Sequence, residues 1–289
     1  MEQPSRCHFI KTLLAGCLLA LAGIAAAAPL TDVTFLLPAP KSAIVFAPYV
    51  LADAQGMYAA QGIHVAFVQV AGGGMQVGAA LARGDGQVGG ALGDTTLLLR
   101  EAGVPVKGVA LLGGHAFLTL IGNRASAVNA TTLKGQRLGV PALKDISNYA
   151  LQAAIATAGL APADVQLRAA APGDLWQALG AGQLDAIVGT VDWGVRAERA
   201  GVTLDFQPMD RFYPAMAQAI LASQAALAAE PDTIRKFIRA TVQGMALMVR
   251  DPGRAAVLYQ AAMPDSGFTL AEITRTFTQI GRASCRERV

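Results

Sequence analysis

The sequence has few of the side chains with which enzymes and metalloproteins carry out chemistry. It contains three cysteines and three histidines among 289 residues. The cysteines, Cys7, Cys17 and Cys285, all lie near the two ends of the chain. The long middle part therefore has no disulfide and no thiolate metal site, which is compatible with an exported protein. No G-x-S-x-G, H-E-x-x-H or C-x-x-C motif occurs, so nothing supports a serine hydrolase, a zinc protease or a thiol oxidoreductase.

An excess of positive charge is also missing from the body of the chain. The net charge is +3, but residues 280–289 contribute +2 of it and residues 1–27 contribute +1, which leaves zero for the residues between them. No cluster of lysine and arginine with interleaved aromatic residues occurs, so nucleic acid is not an expected partner. Beyond residue 27 no apolar run reaches the ~18–20 residues that a membrane span needs.

The first 27 residues have the pattern of a secretory signal peptide. A basic start with Arg6 and Lys11 precedes an apolar stretch and the small residues Ala25–Ala27, so we expect cleavage after Ala27 and a periplasmic protein. Leu14–Cys17 also matches a lipoprotein box, in which Cys17 would be acylated. Only five residues separate Lys11 from Cys17, fewer than the usual ~7–15 apolar residues, which favours the soluble form.

Residues 280–289 differ in character from the sequence before them. An amphipathic helical pattern that begins near Thr269 gives way to a charged string that reads like the translation of a sequencing adapter. We expect this tail to be non-native and the native chain to be truncated near Gln279. The alternative is a native basic tail.

Two stretches of the chain repeat one pattern. Ala80–Thr96 and Ala178–Trp193 each contain Ala-Leu-x-x-Gly, a short apolar run and then an aspartate, Asp94 or Asp192. Glycine supplies the left-handed residue that ends a helix, and aspartate is a preferred N-cap for the next helix. Each copy is therefore predicted to be a helix, a buried strand and a capped helix. The spacing of about one hundred residues indicates two similar lobes.

Strand and helix patterns alternate from Val33 to Leu221, which predicts an α/β fold. We expect two lobes, each a largely parallel sheet flanked by helices. The first lobe would comprise residues 28–114 and 218–279, and the second residues 115–217. From Ser223 onward the pattern is purely helical, with Pro231 and Pro252 at helix starts.

Several loops are candidates for binding a small molecule, and each has a structural alternative. Lys41 and Lys144 follow two strands at equivalent places, where ligands bind in open α/β sheets. They would clamp an anion or simply face solvent. Gly72–Gly74 lies between a strand and a helix and would cradle an anion or form a flexible turn. Asp94 and Asp192 would cap helices or accept from a ligand amine.

The remaining candidates are aromatic side chains and histidines. Trp193, Tyr149 and Tyr213 lie near strand ends or helix starts, where they would cover a ligand or pack in the core. His64 is interpreted as structural, while His115 lies where the chain is expected to cross between lobes, near a ligand. Neither has a carboxylate partner in sequence, so no catalytic residue is assigned. Gly84–Gly89 matches G-x-G-x-x-G but lies between a helix and a strand, the wrong order for a dinucleotide site.

These features, taken in order, resemble the nitrate/sulfonate/taurine and thiamine-precursor binding family of periplasmic solute-binding proteins. The similarity extends from Leu30 to Gln279. It is carried by short motifs in a consistent order and spacing: Phe46–Tyr49, Gln55–Tyr58, Gly62–Ile63, Gly72–Gly74, Ala80–Gly84, Gly103–Lys107, Leu133–Gly135, Ala178–Gly182 and Asp185–Ala186. Members usually continue with further C-terminal helix, which supports a truncation here.

The resemblance implies a type II "Venus flytrap" fold that closes on a small solute and presents it to an ABC permease of the inner membrane. It implies a monomer with no cofactor, no metal and no nucleic acid partner. By position, the residues that would line the cleft are Lys41, Ser42, Gly73, Gly74, Asp94, Thr95, Thr96, Ser147, Asn148, Asp192, Trp193 and Tyr213.

A non-enzymatic binder of a small anionic organic solute, of sulfonate, nitrate or carboxylate type, is the first hypothesis for the function. A binder of a thiamine-precursor pyrimidine is the alternative. A pyrimidine synthase shares this fold in the family but carries a cysteine cluster that this chain lacks. A periplasmic sensory or chaperone-like module is a third possibility.

Overall fold

Two five-stranded sheets form the framework of the protein, whose structure is a computed structural model that describes residues 29–114, 117–126, 128–129 and 131–285. The predicted signal peptide with Cys17, and His115, lie outside the described residues. The strands in chain order are β1 Thr31–Leu37, β2 Ile63–Gln69, β3 Val88–Leu92, β4 Val106–Leu111, β5 Thr119–Asn123, β6 Arg137–Val140, β7 Gln166–Ala169, β8 Ala186–Gly189, β9 Leu204–Pro208 and β10 Gln218–Ser223.

The two sheets have the same topology. The order is β2-β1-β3-β10-β4 in the first and β7-β6-β8-β5-β9 in the second. Strands β1, β2 and β3 pair in parallel, whereas β10 is antiparallel to both of its neighbours, and β5 is likewise antiparallel in the second sheet. The α/β prediction is confirmed. Both sheets are mixed. The antiparallel strand of each sheet is the one that the chain enters directly from the other sheet: β5 follows β4 of the first sheet, and β10 follows β9 of the second.

Strand β3 of the first repeated stretch and β8 of the second occupy the same place in their sheets: β3 lies between β1 and β10, and β8 lies between β6 and β5. We call the part of the protein around the first sheet the first lobe and the part around the second sheet the second lobe. The chain passes from the first sheet to the second after β4 and returns after β9.

Helices cover both sheets and then dominate the last third of the chain. In chain order they are α1 Ala47–Ala54, preceded by a 3-10 turn Ile44–Phe46, α2 Met57–Ala60, α3 Gly73–Arg83, α4 Thr95–Glu101, α5 Ile146–Thr157, α6 Pro172–Gly180, α7 Val191–Glu198, α8 Gln224–Ala229, α9 Pro231–Arg250, α10 Pro252–Ala262 and α11 Leu270–Cys285. Among the described residues no helix is both long enough and apolar enough to cross a membrane.

Local sequence signals set several of these boundaries. The Asp145 carboxylate accepts from the Ser147 backbone N–H at the start of α5, as the N-cap prediction required. Asp251 caps α10 in the same way, with Pro252 in the first helical position. Helix α11 continues to Cys285, past Ile280, where the amphipathic sequence pattern ends.

The C-terminal helices pack against both lobes through one apolar cluster. Ile44 and Leu51 of the first lobe and Val191 and Val195 of the second are buried in it. Tyr259 of α10, with other side chains of α9 to α11, completes the cluster. The start of α1 and the whole of α7 are therefore held by the same set of side chains.

Gly244→Ala is expected to destabilise this packing. Gly244 lies in α9, where an added Cβ would come 2.1 Å from the backbone oxygen of Pro48 in α1. A backbone atom inside a helix does not move aside easily, so the helices must separate at a cost of about 1–3 kcal/mol. Thermal unfolding measures the change. Gly253→Ala is the control, since its nearest neighbour would be Asp251 Oδ1 at 3.8 Å; an equal loss in both variants would contradict the prediction.

Asp185→Asn is expected to destabilise the second lobe in a pH-dependent way. Asp185 accepts from the backbone N–H of Arg137 at 2.8 Å and from its guanidinium at 2.6 Å. The Arg137 guanidinium lowers the carboxyl pKa from 3.8 to about 2. Because the folded pKa is the lower one, the stabilisation is present above pH 3.8 and is lost as the pH falls through 2.

Urea unfolding at pH 7 and at pH 3 tests this dependence. We expect the variant to lose about 1.5–3 kcal/mol at pH 7, the usual range for hydrogen bonds to a charged group, and less at pH 3. Asp205→Asn is the matched control, because the Arg124–Asp205 pair is largely exposed and contributes little. A difference between wild type and Asp185→Asn that stays constant with pH would refute the assignment.

Candidate functional site

A cavity of about 560 Å³ lies between the two lobes. Its walls include Pro38, Gln69 and Leu92, which end or follow β1, β2 and β3, and Pro141 and Gly189, which follow or end β6 and β8. The cavity is thus at the carboxyl ends of the parallel strands of both sheets. This is the edge at which open α/β sheets bind ligands.

Apolar, polar and charged side chains line this cavity together. The aromatic ones are Phe46, Phe117, Trp176 and Trp193. The uncharged polar ones are Ser42, Gln69, Thr95, Ser147, Thr190 and Gln218. The charged ones are Asp145, Asp192 and Arg196. A mainly apolar wall with a few placed polar groups is typical of a small-molecule site.

Asp145 accepts hydrogen bonds from the helix that it caps. Its Oδ1 accepts from the backbone N–H of Ser147 at 2.9 Å and also from the Ser147 hydroxyl. The carboxylate therefore fixes the first turn of α5, and Ser147 reaches the cavity as part of that turn.

Asp192 is in a different situation. It is 5% exposed, and its Oδ1 is buried with no hydrogen-bond partner among the described residues. Burial raises the pKa of the carboxyl, and hydrogen bonds to Thr190 and the charge of Arg196 oppose that rise. Asp192 is the second residue of α7, after the N-cap Thr190, so its carboxylate lies in the first turn of that helix.

Arg196 follows Asp192 by one helical turn and lies on the same side of α7. Its Nη2 donates to the backbone oxygen of Ser266 at 3.0 Å, and its guanidinium carbon is 4.1 Å from the ring centre of Phe268. No carboxylate of the described residues comes within 4.0 Å of it as an ion-pair partner. Arg196 is therefore a positive charge at the cavity that C-terminal residues hold in place.

Trp193 and Trp176 contribute indole rings to the wall formed by the second lobe. An added Cβ at Gly189 would lie 2.1 Å from the Trp193 ring, so glycine is required there for the indole to rest on the end of β8. The sequence contains two tryptophans in all, and both line this cavity.

Seven of the residues expected to line the cleft do line this cavity, and five do not. The seven are Ser42, Gly73, Gly74, Thr95, Ser147, Asp192 and Trp193. The five are Lys41, Asp94, Thr96, Asn148 and Tyr213. The roles of all twelve as ligand contacts stay predictions. The structure gives each of the five a polar or charged partner within the protein.

Lys41 is paired within its own lobe. Its ammonium is 2.8 Å from an Asp53 carboxylate oxygen and 3.8 Å from the ring centre of Phe67. Lys144 is exposed, and it is absent from the cavity wall. The structure therefore does not place a lysine from each lobe across the cavity, and Arg196 is the cation that lines it.

Asp94 and Tyr213 connect the two lobes beside the cavity. Asp94 Oδ1 accepts from the Met216 backbone N–H at 3.2 Å. Tyr213 also hydrogen-bonds to Asp94, and its phenol pKa is raised first by burial and then by that carboxylate. The end of β3 is thus joined to the segment that returns the chain to the first sheet.

The prediction that Asp94 and Asp192 each cap a helix with their side chains was wrong. Asp94 occupies the N-cap position of α4, but its side chain makes no capping bond, since it accepts from Met216 instead. Asp192 lies inside α7, whose N-cap is Thr190. The equal spacing of the two aspartates in sequence therefore hides two different structural positions.

Thr96 and Asn148, in the first turns of α4 and α5, bond to the residues just before those helices. Thr96 Oγ1 donates to the Gly93 carbonyl at 2.7 Å, and Asn148 Nδ2 donates to the Leu143 carbonyl at 2.8 Å. The two side chains shape the loops beside the cavity.

The glycine triplet is partly helical. Gly72 has a φ of 95° and precedes α3, which begins at Gly73. Gly74 allows a close approach, because a Cβ there would lie 2.9 Å from Ala91 Cβ. Gly73 and Gly74 line the cavity with backbone. Their role as an anion cradle stays a prediction.

Sequence reasoning missed Arg196, Trp176, Asp145, Gln69 and Gln218 as lining residues. The spacing of Arg196 from Asp192 was a usable signal, since residues four apart share a helix face. The remaining histidine of the described chain, His64, pairs with Asp32 at 2.9 Å on the surface. No group of three or more histidine, cysteine or acidic side chains in the described ranges could hold a metal ion.

Comparison with protein families matches residues 43–255 to the family described as NMT1/THI5 like. Among curated proteins, the riboflavin-binding protein RibY of Chloroflexus aurantiacus is 30% identical over an alignment of 243 residues, with 77% of this chain and 64% of RibY covered. The chain therefore spans less than two thirds of the length of that relative.

Solved structures with the same architecture include two binding proteins for small anions. The alkanesulfonate-binding protein SsuA from Xanthomonas axonopodis pv. citri, bound to MOPS, has a TM-score of 0.71 and 20% identity, with 88% of this chain and 85% of that chain covered. The periplasmic nitrate-binding protein NrtA from Synechocystis PCC 6803 has a TM-score of 0.69 and 12% identity, with 85% and 69% covered. At these identities the likeness shows a shared fold.

Proposed function

Because this chain belongs to the NMT1/THI5-like family, we propose that it is the solute-binding protein of an ABC importer, which takes up a small organic solute between its lobes. The observation that carries this proposal is the cavity of about 560 Å³ at the carboxyl ends of both sheets. Its volume falls within the ~300–1,000 Å³ of typical small-molecule sites. Both lobes contribute walls, so closing the lobes on a solute would enclose it.

The size of the cavity favours an organic solute over a small inorganic ion. A nitrate ion is comparable in size to one or two water molecules of ~30 Å³ each. Such an ion would leave most of the 560 Å³ to solvent. A molecule with one or more rings would fill it.

A planar nitrogen heterocycle is the solute class that the wall supports best. Four aromatic side chains, Phe46, Phe117, Trp176 and Trp193, offer surfaces on which a ring can stack. Gln69 and Gln218 add amide groups that both donate and accept hydrogen bonds. The riboflavin-binding relative is consistent with this class, and so is the thiamine-precursor pyrimidine, the alternative solute hypothesised from the sequence.

An organic anion is the second candidate, and Arg196 is the observation that favours it. Its guanidinium lines the cavity without an ion-pair partner among the described carboxylates. Arginine matches the geometry of sulfonate or carboxylate oxygens well. The structural likeness to an alkanesulfonate-binding protein is compatible with this alternative.

The proposal places the protein in the periplasm and makes it a partner of an inner-membrane permease. The structural neighbours named above are binding proteins rather than enzymes. We further propose that the chain binds its solute without changing it chemically and acts as a monomer. The predicted signal peptide of residues 1–27 would export it.

A ligand panel tests this function directly. We would measure thermal unfolding and tryptophan fluorescence with riboflavin, an aminopyrimidine, an alkanesulfonate and nitrate. At one hundred times Kd a ligand stabilises by about 2.7 kcal/mol, which for a protein of this size raises Tm by roughly 5–10 °C. Both tryptophans line the cavity, so a bound heterocycle should also quench their emission.

The outcomes separate the candidates. Binding of riboflavin or the aminopyrimidine, recovered unchanged by mass spectrometry, supports the heterocycle. Binding of the sulfonate alone supports the second candidate. Trp176→Phe and Trp193→Phe serve as controls, because each should remove part of the fluorescence change. A compound recovered in altered form, or no ligand-dependent rise in Tm, would count against a binding protein for these solutes.

A further inference from the structure

Asp192 stands out among the charged groups at the cavity, because one of its oxygens has no partner. The side chain is 5% exposed, it lines the cavity, and its Oδ1 is buried without a hydrogen bond among the described residues. Buried polar atoms in native proteins are nearly always hydrogen-bonded, and a carboxylate oxygen without a donor is costly. The other acid at the cavity, Asp145, accepts two bonds from Ser147.

The donors nearest to Asp192 are engaged elsewhere. Arg196, one turn along α7, donates to the carbonyl of Ser266 at 3.0 Å. Tyr259 of α10, whose phenol is electrostatically coupled to Asp192, donates to the carbonyl of Ser42 at 2.8 Å. Thr190 bonds to the carboxyl, yet Oδ1 stays without a partner. None of these side chains supplies a donor to Oδ1, and Asp192 lines the cavity, where a bound molecule can supply one.

Helix α7, which carries Asp192, is attached to α11 and to β9. Arg199 forms an ion pair with Glu272 at 2.7 Å, and Glu198 forms one with Arg275 at 2.8 Å. Both partners are in α11, so the carboxyl-terminal end of α7 is fixed to that helix. Gly194 packs against Phe206, where an added Cβ would lie 2.4 Å from the ring. The backbone that carries Asp192 is thus positioned before a solute binds, which reduces the cost of ordering the site on binding.

We propose that Asp192 is a specificity-determining residue, whose Oδ1 accepts a hydrogen bond from a ring N–H of the solute. The inference rests on the proposed solute-binding function and narrows the solute to heterocycles that present an N–H donor. A molecule without the donor leaves a buried carboxylate unpaired, and sites built in this way reject such analogues strongly. Trp193, the next residue in the chain, lies at the same wall, where it can support the plane of the ring.

The test pairs a change in the protein with a change in the probe. The probes are riboflavin, which has an N–H in its ring system at N3, and N3-methylriboflavin, which lacks it. We would measure their affinities for wild type, Asp192→Ala and Asp192→Asn by titration. Wild type should bind riboflavin roughly 10- to 100-fold more tightly than the methylated probe, the range for a hydrogen bond to a charged group.

Asp192→Ala should lose that preference and bind both probes with similar, weak affinity. Asp192→Asn retains a neutral acceptor, so it should fall between the two. Asp174→Ala is the matched control, since Asp174 is an exposed acid in α6 near the same wall and does not line the cavity. It should bind like wild type.

Thermal unfolding of the ligand-free variants separates recognition from folding. Removing a buried carboxylate with an unsatisfied oxygen should leave Tm unchanged or raise it, while the affinity for riboflavin falls. A purely structural role for Asp192 would instead lower Tm in Asp192→Asn and leave the preference between the two probes intact.

The inference is overturned if wild type binds both probes equally, or if Asp192→Ala keeps the wild-type preference. It is also overturned, with the proposed function still standing, if only the alkanesulfonate binds and Asp192→Ala binds it more tightly. The proposed function itself fails if wild type binds neither flavin, nor the aminopyrimidine, nor the sulfonate.

Discussion

The attachment of α7 to the C-terminal helices is the constraint on which the cavity depends. Val191 and Val195 are buried in an apolar cluster that also contains side chains of α1 and of α9 to α11, and each large apolar side chain buried there contributes about 1.5–3 kcal/mol. Two ion pairs to α11 fix the other side of the helix. Because α7 carries Asp192, Trp193 and Arg196, these contacts also fix the most distinctive wall of the cavity.

The two lobes repeat one topology but give the cavity different chemistry. The first lobe contributes proline, alanine and glycine around Pro38 and Gly73, together with the uncharged side chains of Phe46, Gln69 and Gln218. The second lobe contributes both indoles and all three charged side chains. The shared topology therefore gives the cavity strand ends on both sides, and the different side chains of the two lobes give it two unlike walls. A solute in it would meet a neutral surface on one side and a charged, aromatic surface on the other.

Much of the fold could be predicted because its signals are local. Asp145 caps α5 by accepting from the backbone N–H of Ser147, only two residues further along the chain. Pro252 directly follows Asp251, which caps α10. The alternation of strands and helices likewise needs only neighbouring residues to be recognised. The site was harder to predict, because Lys41 stands at a strand end yet pairs with Asp53, while Arg196 reaches the cavity from the middle of a helix.

The sequence by itself determined the α/β class, the repeated helix–strand–helix unit and the strand ends near which a ligand would lie. Only the tertiary structure decided which polar side chains at those ends are free to meet a ligand. Asp94 accepts from Met216, 122 positions away, and Arg196 donates to Ser266, 70 positions away. Residue patterns report interactions between neighbours in the chain, whereas partners so far apart are brought together only by packing. That is why two aspartates at the same place in a repeat differ: Asp94 joins the lobes, whereas Asp192 has a buried oxygen without a hydrogen-bond partner among the described residues.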